Sequence, residues 1–218
     1  MPGFFELFRA VALALVLAAF AAAPALADEP PLVVFLGDSL TAGYGLPEAE
    51  AFPALLRESL LGRGLEVRVV NGGVSGDTTA GGLRRLDWLL RLEPAVLVVG
   101  LGGNDGLRGL PVAETEANLR RIVATARERG VEVLLLGMMV PTNYGPEYGE
   151  AFAALYPRVA SEEGAALVPF LLEGVGGVVE LNQGDGIHPT AEGQERVAAN
   201  VLPYLEPLVR AAAGAGSD

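Results

Sequence analysis

His188 is the only histidine in 218 residues, and it stands in Asp185-Gly-Ile-His188-Pro189. Acid–base chemistry run through imidazole near neutral pH must therefore use this residue. The chain has no cysteine and all fifteen of its basic residues are arginine, which removes thiolate and lysine nucleophiles and leaves a hydroxyl. Of five serines, Ser59 and Ser161 lie in helix-patterned stretches and Ser217 in a Gly/Ala tail. Ser39 follows the apolar run Leu32–Leu36 and the turn pair Gly37-Asp38; Ser75 ends a second apolar run in Asn71-Gly-Gly-Val-Ser-Gly-Asp77. Both stand where open α/β sheets gather their chemistry, outside the carboxyl ends of strands. Ser39 has the better geometry, because a helix starting just after it would aim amide hydrogens and positive dipole at a developing oxyanion. One serine, one histidine and an aspartate three residues away supply nucleophile, base and orienter for acyl transfer. Taken singly, Ser39 could be only a helix cap and Asp185 with His188 only a turn.

The elements that must position these residues are legible as an alternation. Short apolar runs at Leu32–Leu36, Val67–Val70, Ala95–Gly100, Val131–Gly137 and Ala165–Val168 read as strands. Between and after them, amphipathic stretches at about 49–62, 78–92, 111–130, 147–163 and 190–211 read as helices. Strands alternating with helices predict an α/β fold, a five-stranded parallel sheet covered on both faces. In the third helix Leu119, Ile122, Val123 and Ala126 make the buried face, and Gly130 ends it. The connection from Leu171 to Gly184 is the one long enough to be a mobile loop, and it leads into Asp185. Polar and glycine-rich segments fall at the ends of the first three strands, so they would meet at one sheet edge. There glycines let backbone amides approach a ligand, and Asn104 offers a side-chain NH2 donor. An apolar groove between the loops at 107–111 and 141–148, with Leu107, Leu110, Tyr144 and Tyr148 available, suits an acyl or aryl chain; the same residues could instead cap the core.

Residues 1–27 have the layout of a secretory signal peptide. Arg9 precedes an apolar stretch from Ala10 to about Ala23, and Pro24 and Ala25-Leu26-Ala27 precede Asp28. Cleavage after Ala27 predicts an exported protein, periplasmic or secreted, with no stable membrane insertion afterwards and one domain over residues 28–218; a retained segment would be an anchor. The segment contains one acid, Glu6, and one base, Arg9, so its removal leaves 26 acidic residues against 14 arginines, and the net charge stays at −12. That balance argues against nucleic acid as a partner. With one histidine and no cysteine, a tight zinc or iron site would need carboxylates, so neither metal nor other cofactor is expected. The expected state is a monomer.

The segment VVFLGDSLTAGYG resembles the first block of the GDSL, or SGNH, hydrolase family. NGGVSGDTTAGGL, GLGGNDGLRG and DGIHPT resemble its second, third and fifth blocks in the same order. Within that family, PTNYGPEYGEAFAALYPRVA is similar to a segment of the bacterial thioesterase I and lysophospholipase L1 type, also known as arylesterases. The resemblance covers roughly residues 32–207. It implies a flavodoxin-like three-layer α/β/α sandwich with strand order 2-1-3-4-5. It also implies Ser39 as nucleophile and His188 as base oriented by Asp185, with Ser39, Gly76 and Asn104 in the oxyanion hole. Gly73 competes with Gly76 for that place. Asp38 would hold the nucleophile turn. The implied activity is hydrolysis of carboxylic esters and thioesters, with a small acyl or aryl ester or a lysophospholipid as substrate. Two other readings use the same pattern: a carbohydrate O-acetylesterase or an acyltransferase on this scaffold, and a noncatalytic ligand-binding protein. A reaction that needs neutral imidazole should fall away below about pH 6.

Overall fold

The computed structural model describes residues 29–140 and 142–215. The predicted leader lies outside these residues. In chain order the elements are β1 (Leu32–Gly37), α1 (Ser39–Ala42), a 3-10 turn (Glu48–Glu50), α2 (Phe52–Gly62), β2 (Arg68–Gly73), α3 (Thr79–Leu90), β3 (Val96–Gly100), α4 (Gly103–Leu107) and α5 (Val112–Glu128). There follow β4 (Glu132–Leu136), a 3-10 turn (Thr142–Tyr144), α6 (Pro146–Glu163), β5 (Ala166–Val168), a 3-10 turn (Val179–Leu181) and α7 (Ala191–Ala215).

All strand pairs are parallel and the sheet order is β2-β1-β3-β4-β5, as the resemblance implies. Helices α2 and α7 pack together over one face, and α3, α5 and α6 over the other. Covering both faces explains why β1 and β3 are unbroken apolar runs in which every residue is buried. The α5 residues Leu119, Ile122, Val123 and Ala126 are buried against the sheet, the helical spacing having predicted this face. Each such side chain contributes roughly 1.5–3 kcal/mol when fully buried, less for alanine. Among the described residues no helix is long and apolar enough to cross a membrane.

Two local differences from the sequence reading matter for function. Strand β2 runs on through Asn71, Gly72 and Gly73, which pair with Phe35, Leu36 and Gly37. The glycines are there because a Cβ on Gly72 would lie 2.5 Å from the carbonyl oxygen of Phe35, and one on Gly73 would lie 2.3 Å from the nitrogen of Ala42. Second, the helix after Ser39 is a single turn. It ends at Gly43, whose φ of 71° is left-handed, so the dipole behind Ser39 is that of one turn rather than of a long helix. The long helix of this region starts only at Phe52.

Candidate active site

The order in which the chain adds strands reverses between β1 and β3, with β2 on one side and β4 and β5 on the other, and ligand sites in open α/β sheets lie at such a switch point. Asp38 caps α1 by accepting a hydrogen bond from Leu40 N (3.0 Å). The turn is tight: a Cβ on Gly37 would lie 1.9 Å from Thr41 Oγ1. Ser39 is thereby presented at the carboxyl end of β1. From the other end of the chain, Asp185 folds its own loop: Oδ1 accepts from Ile187 N and His188 N, each at 3.0 Å. Its Oδ2 lies 2.7 Å from His188 Nδ1, and His188 Nε2 lies 2.9 Å from Ser39 Oγ. A carboxylate can only accept from Nδ1–H, which leaves the Nε2 lone pair for the Ser39 hydroxyl proton. The result is a continuous line from carboxylate to imidazole to hydroxyl, able to make a serine oxygen nucleophilic. Ser75 opens onto the same cavity, but it is Ser39 that His188 contacts.

Gly76 and Asn104 line this cavity beside Ser39. The backbone N–H groups of Ser39 and Gly76 have no partner among the described residues. Gly73 differs: its N–H donates to Asn71 Oδ1 (3.0 Å), inside β2. Asn104 Nδ2 donates to Asp77 O (3.0 Å) and, more weakly, to Asp38 Oδ2 (3.3 Å). The turn carrying Asn104 is anchored by the neighbouring Asp105, buried, which accepts from Thr79 N (2.9 Å) and Thr79 Oγ1 (2.5 Å). Arg85 ties the strand ends together. Its guanidinium donates to Asp77 Oδ2 (2.7 Å), Gly72 O (2.6 Å) and Gly37 O (2.8 Å). One side chain thus joins the ends of β1 and β2 to the loop bearing Gly76. The sequence reading did not single it out, because an arginine on a helix face reads as solvated.

The cavity in front of these groups has a volume of about 580 Å³. Its apolar wall comes from Met138, Met139, Val140, Phe170, Leu172 and Ile187, with Leu107 at the mouth. Of the four groove residues read from the sequence, Leu107 lines the cavity. Leu110, Tyr144 and Tyr148 do not line it: Tyr144 Oη donates to Leu107 O (3.0 Å), Tyr148 Oη donates to Leu110 O (2.8 Å), and the tyrosine rings pack together at 5.3 Å. The two hydroxyls thereby tie the tyrosines to the 107–110 loop. The wall residues missed by the sequence reading come largely from the ends of β4 and β5 and from the connection after Leu171. That connection is fastened down: Asn182 Nδ2 donates to the carbonyls of Val175 and Val178, both at 2.7 Å.

The two carboxyl groups of the site, Asp38 next to Ser39 and Asp185 beyond His188, have opposite electrostatics. Burial pushes the Asp38 carboxyl up from 3.8 to about 6, against the lowering effects of the Leu40 N–H, the Asn104 amide and the charge of His188. Asp185 is held down at about 2 by its bond to His188, then by the N–H groups of Ile187 and His188. The Asp185 carboxylate is therefore ionised throughout the physiological range and accepts, rather than donates, in its bond to His188.

The five-stranded parallel sheet and the site at its switch point are those of an SGNH-type hydrolase, an enzyme acting on ester bonds. The chain belongs to the GDSL-like lipase/acylhydrolase family, whose model matches residues 35–196. It is 51% identical over 178 residues to the esterase TesA of Pseudomonas aeruginosa, covering 81% of this chain and 89% of that protein. To the thioesterase 1/protease 1/lysophospholipase L1 of Escherichia coli K12 it is 42% identical over 178 residues, 81% of this chain and 84% of that one. A crystal structure of TesA aligns with a TM-score of 0.79 at 50% identity, covering 81% of this chain and 99% of that chain.

Proposed function

We propose that this esterase works through an acyl-enzyme on Ser39, with acyl esters and thioesters, lysophospholipids among them, and aryl esters as its substrates. The observation that carries the proposal is the bonded line Asp185–His188–Ser39, with 2.7 and 2.9 Å between the reacting atoms. Ser39 Oγ attacks the carbonyl carbon as His188 Nε2 takes its proton. The oxyanion is held by the N–H groups of Ser39 and Gly76 and by the amide of Asn104. The intermediate collapses, and the departing alcohol or thiol takes the proton from His188. Water, deprotonated by His188, then attacks the acyl-enzyme; the proton returns to Ser39 Oγ and the free acid leaves.

The apolar wall of the cavity supports an acyl or aryl chain on the substrate, and relatives that are an esterase, an arylesterase and a thioesterase support esters and thioesters. The leader pattern, Arg9 followed by the apolar stretch and Ala25-Leu26-Ala27, supports export and cleavage after Ala27. The test is a panel of nitrophenyl esters of increasing chain length, an acyl-CoA and a lysophospholipid, run on wild type and Ser39→Ala. A fluorophosphonate should label wild type at Ser39 and leave Ser39→Ala unlabelled; turnover surviving in Ser39→Ala would refute the mechanism.

A further inference from the structure

Asp185, Ile187 and His188 form a self-contained unit, because both N–H groups and the imidazole are bonded to the one carboxylate. Nothing within that unit sets its distance from Ser39, which lies 149 positions away in the chain. The joint is made largely by one glutamine. Gln183 closes the histidine loop through its backbone, donating N–H to His188 O (2.7 Å) and accepting from Gly186 N (2.8 Å). Its side-chain Nε2 uses one hydrogen on Pro189 O (2.9 Å) and the other on Tyr44 O (2.7 Å). Tyr44 in turn donates its own N–H to Ser39 O (3.0 Å) and lays its ring 4.5 Å from that of His188. Two bonds therefore connect the carbonyl of the serine to the glutamine that frames the histidine. Gly45, with φ of 79°, leaves the room: a Cβ there would lie 2.5 Å from Gln183 Oε1.

We infer that Gln183 is a positioning residue that sets His188 against Ser39. The inference rests on the acyl-enzyme reading above. Glutamine suits the place because a neutral amide offers two donors on one nitrogen, at a reach that asparagine lacks by one methylene. On the far side of His188 the buried Gln194 acts as a second joint, its Nε2 donating to Leu40 O (3.3 Å) while its Oε1 accepts from Phe52 N (2.9 Å). Gln194 also holds a helix start, so it belongs to stability as well; Gln183 is the cleaner probe.

The experiment compares wild type, Gln183→Met and Gln183→Asn. Each is titrated with a fluorophosphonate, so that turnover is expressed per reactive serine and the labelling rate is read beside it. The expected result is a kcat and a labelling rate lower by roughly ten- to a hundredfold in both variants, the effect of misplacing a base by about 1 Å. KM should change little, and the acid limb of the pH profile should stay where it is, because the Asp185–His188 unit is intact. A lower melting temperature with wild-type kcat per titrated serine would overturn the positioning role alone. A wild type that is neither labelled nor active would overturn the acyl-enzyme reading and this role with it. If Gln183→Met does not fold, Gln183→Asn decides the matter by the same two numbers.

Discussion

The side-chain amide of Asn104 rests on the carboxylate of Asp38, with Nδ2 3.3 Å from Oδ2. The third donor proposed for the oxyanion is thus held in waiting by a buried acid. Its other hydrogen stays on Asp77 O at 3.0 Å, so a developing oxyanion would replace the weaker bond and leave the stronger one as a hinge pin.

Asn104→Ala should lower kcat by about 10² to 10³, the usual effect of losing one oxyanion donor, with KM little changed. Steady-state kinetics on the ester panel, normalised to titrated serine, check this. Wild-type kcat in the variant would assign Asn104 to holding Asp77 alone.

Asp38 should make the fold less stable as the solution is raised from about pH 4 to about pH 6. Its carboxyl titrates at about 6 when folded against 3.8 ordinarily, so the folded state holds the extra proton across that window and stability falls with rising pH. The difference corresponds to about 3 kcal/mol at most. Asp38→Asn keeps an acceptor for Leu40 N without the charge. Urea unfolding at pH 4.5 and 7.5 should show a smaller loss on going to 7.5 in the variant; equal losses would dismiss the effect.

Asp185 has the opposite sign. Its carboxyl is depressed to about 2, so what it contributes is fully present above about pH 4 and is lost as pH falls through 2. Asp185→Asn should keep an acceptor for the loop N–H groups yet favour the wrong imidazole tautomer, lowering kcat by roughly 10² to 10⁴ with the melting temperature near wild type. Pro189 restrains the backbone of His188 from the other side, so the loss should be smaller than that of Ser39→Ala. Parallel kinetics and thermal melts separate the two effects.

Arg85→Met should destabilise the protein by about 2–4 kcal/mol, since it leaves the largely buried Asp77 carboxylate and the Gly37 and Gly72 carbonyls without their common donor. Because Gly37 precedes the turn bearing Ser39, the proposed nucleophile, and Asp77 follows Gly76, kcat should fall as well. Denaturant titration together with kcat per titrated serine tests both halves, and an unchanged stability would contradict the arrangement.

Much of this is legible in the amino-acid sequence. The alternation of apolar runs with three- and four-residue spacing placed all five strands and the five long helices, because buried parallel strands and amphipathic helices write their surroundings into local hydrophobicity. Less legible are α1, expected only as a helix start after Ser39, and α4, along with the 3-10 turns at Thr142–Tyr144 and Val179–Leu181; at three to five residues they are too short to carry a period. Strand β2 was read as ending early, because Asn71, Gly72 and Gly73 look like a turn; only the neighbouring Phe35 carbonyl and the Ala42 nitrogen explain why glycine is needed in a strand there. Leu110, Tyr144 and Tyr148 were read as groove residues from their apolar character. In the fold the two tyrosines lie off the cavity lining, with hydroxyls bonded to the carbonyls of Leu107 and Leu110, 37 and 38 positions away in the chain, a placement that apolar character does not encode.

The amino-acid sequence by itself determined the layer order, the availability of a single imidazole and the shortlist of Ser39 and Ser75, all properties of composition or of near neighbours in the chain. The resemblance implied that His188 serves Ser39, but only the folded molecule shows them in contact, the Gly73 N–H taken while that of Gly76 is open, and Gln183 and Arg85 holding the parts together. Contacts across 149 positions depend on which strands lie side by side and on where each loop is tied. Hydrophobic period carries no information about either, because it records which side of an element is buried and not which partner buries it.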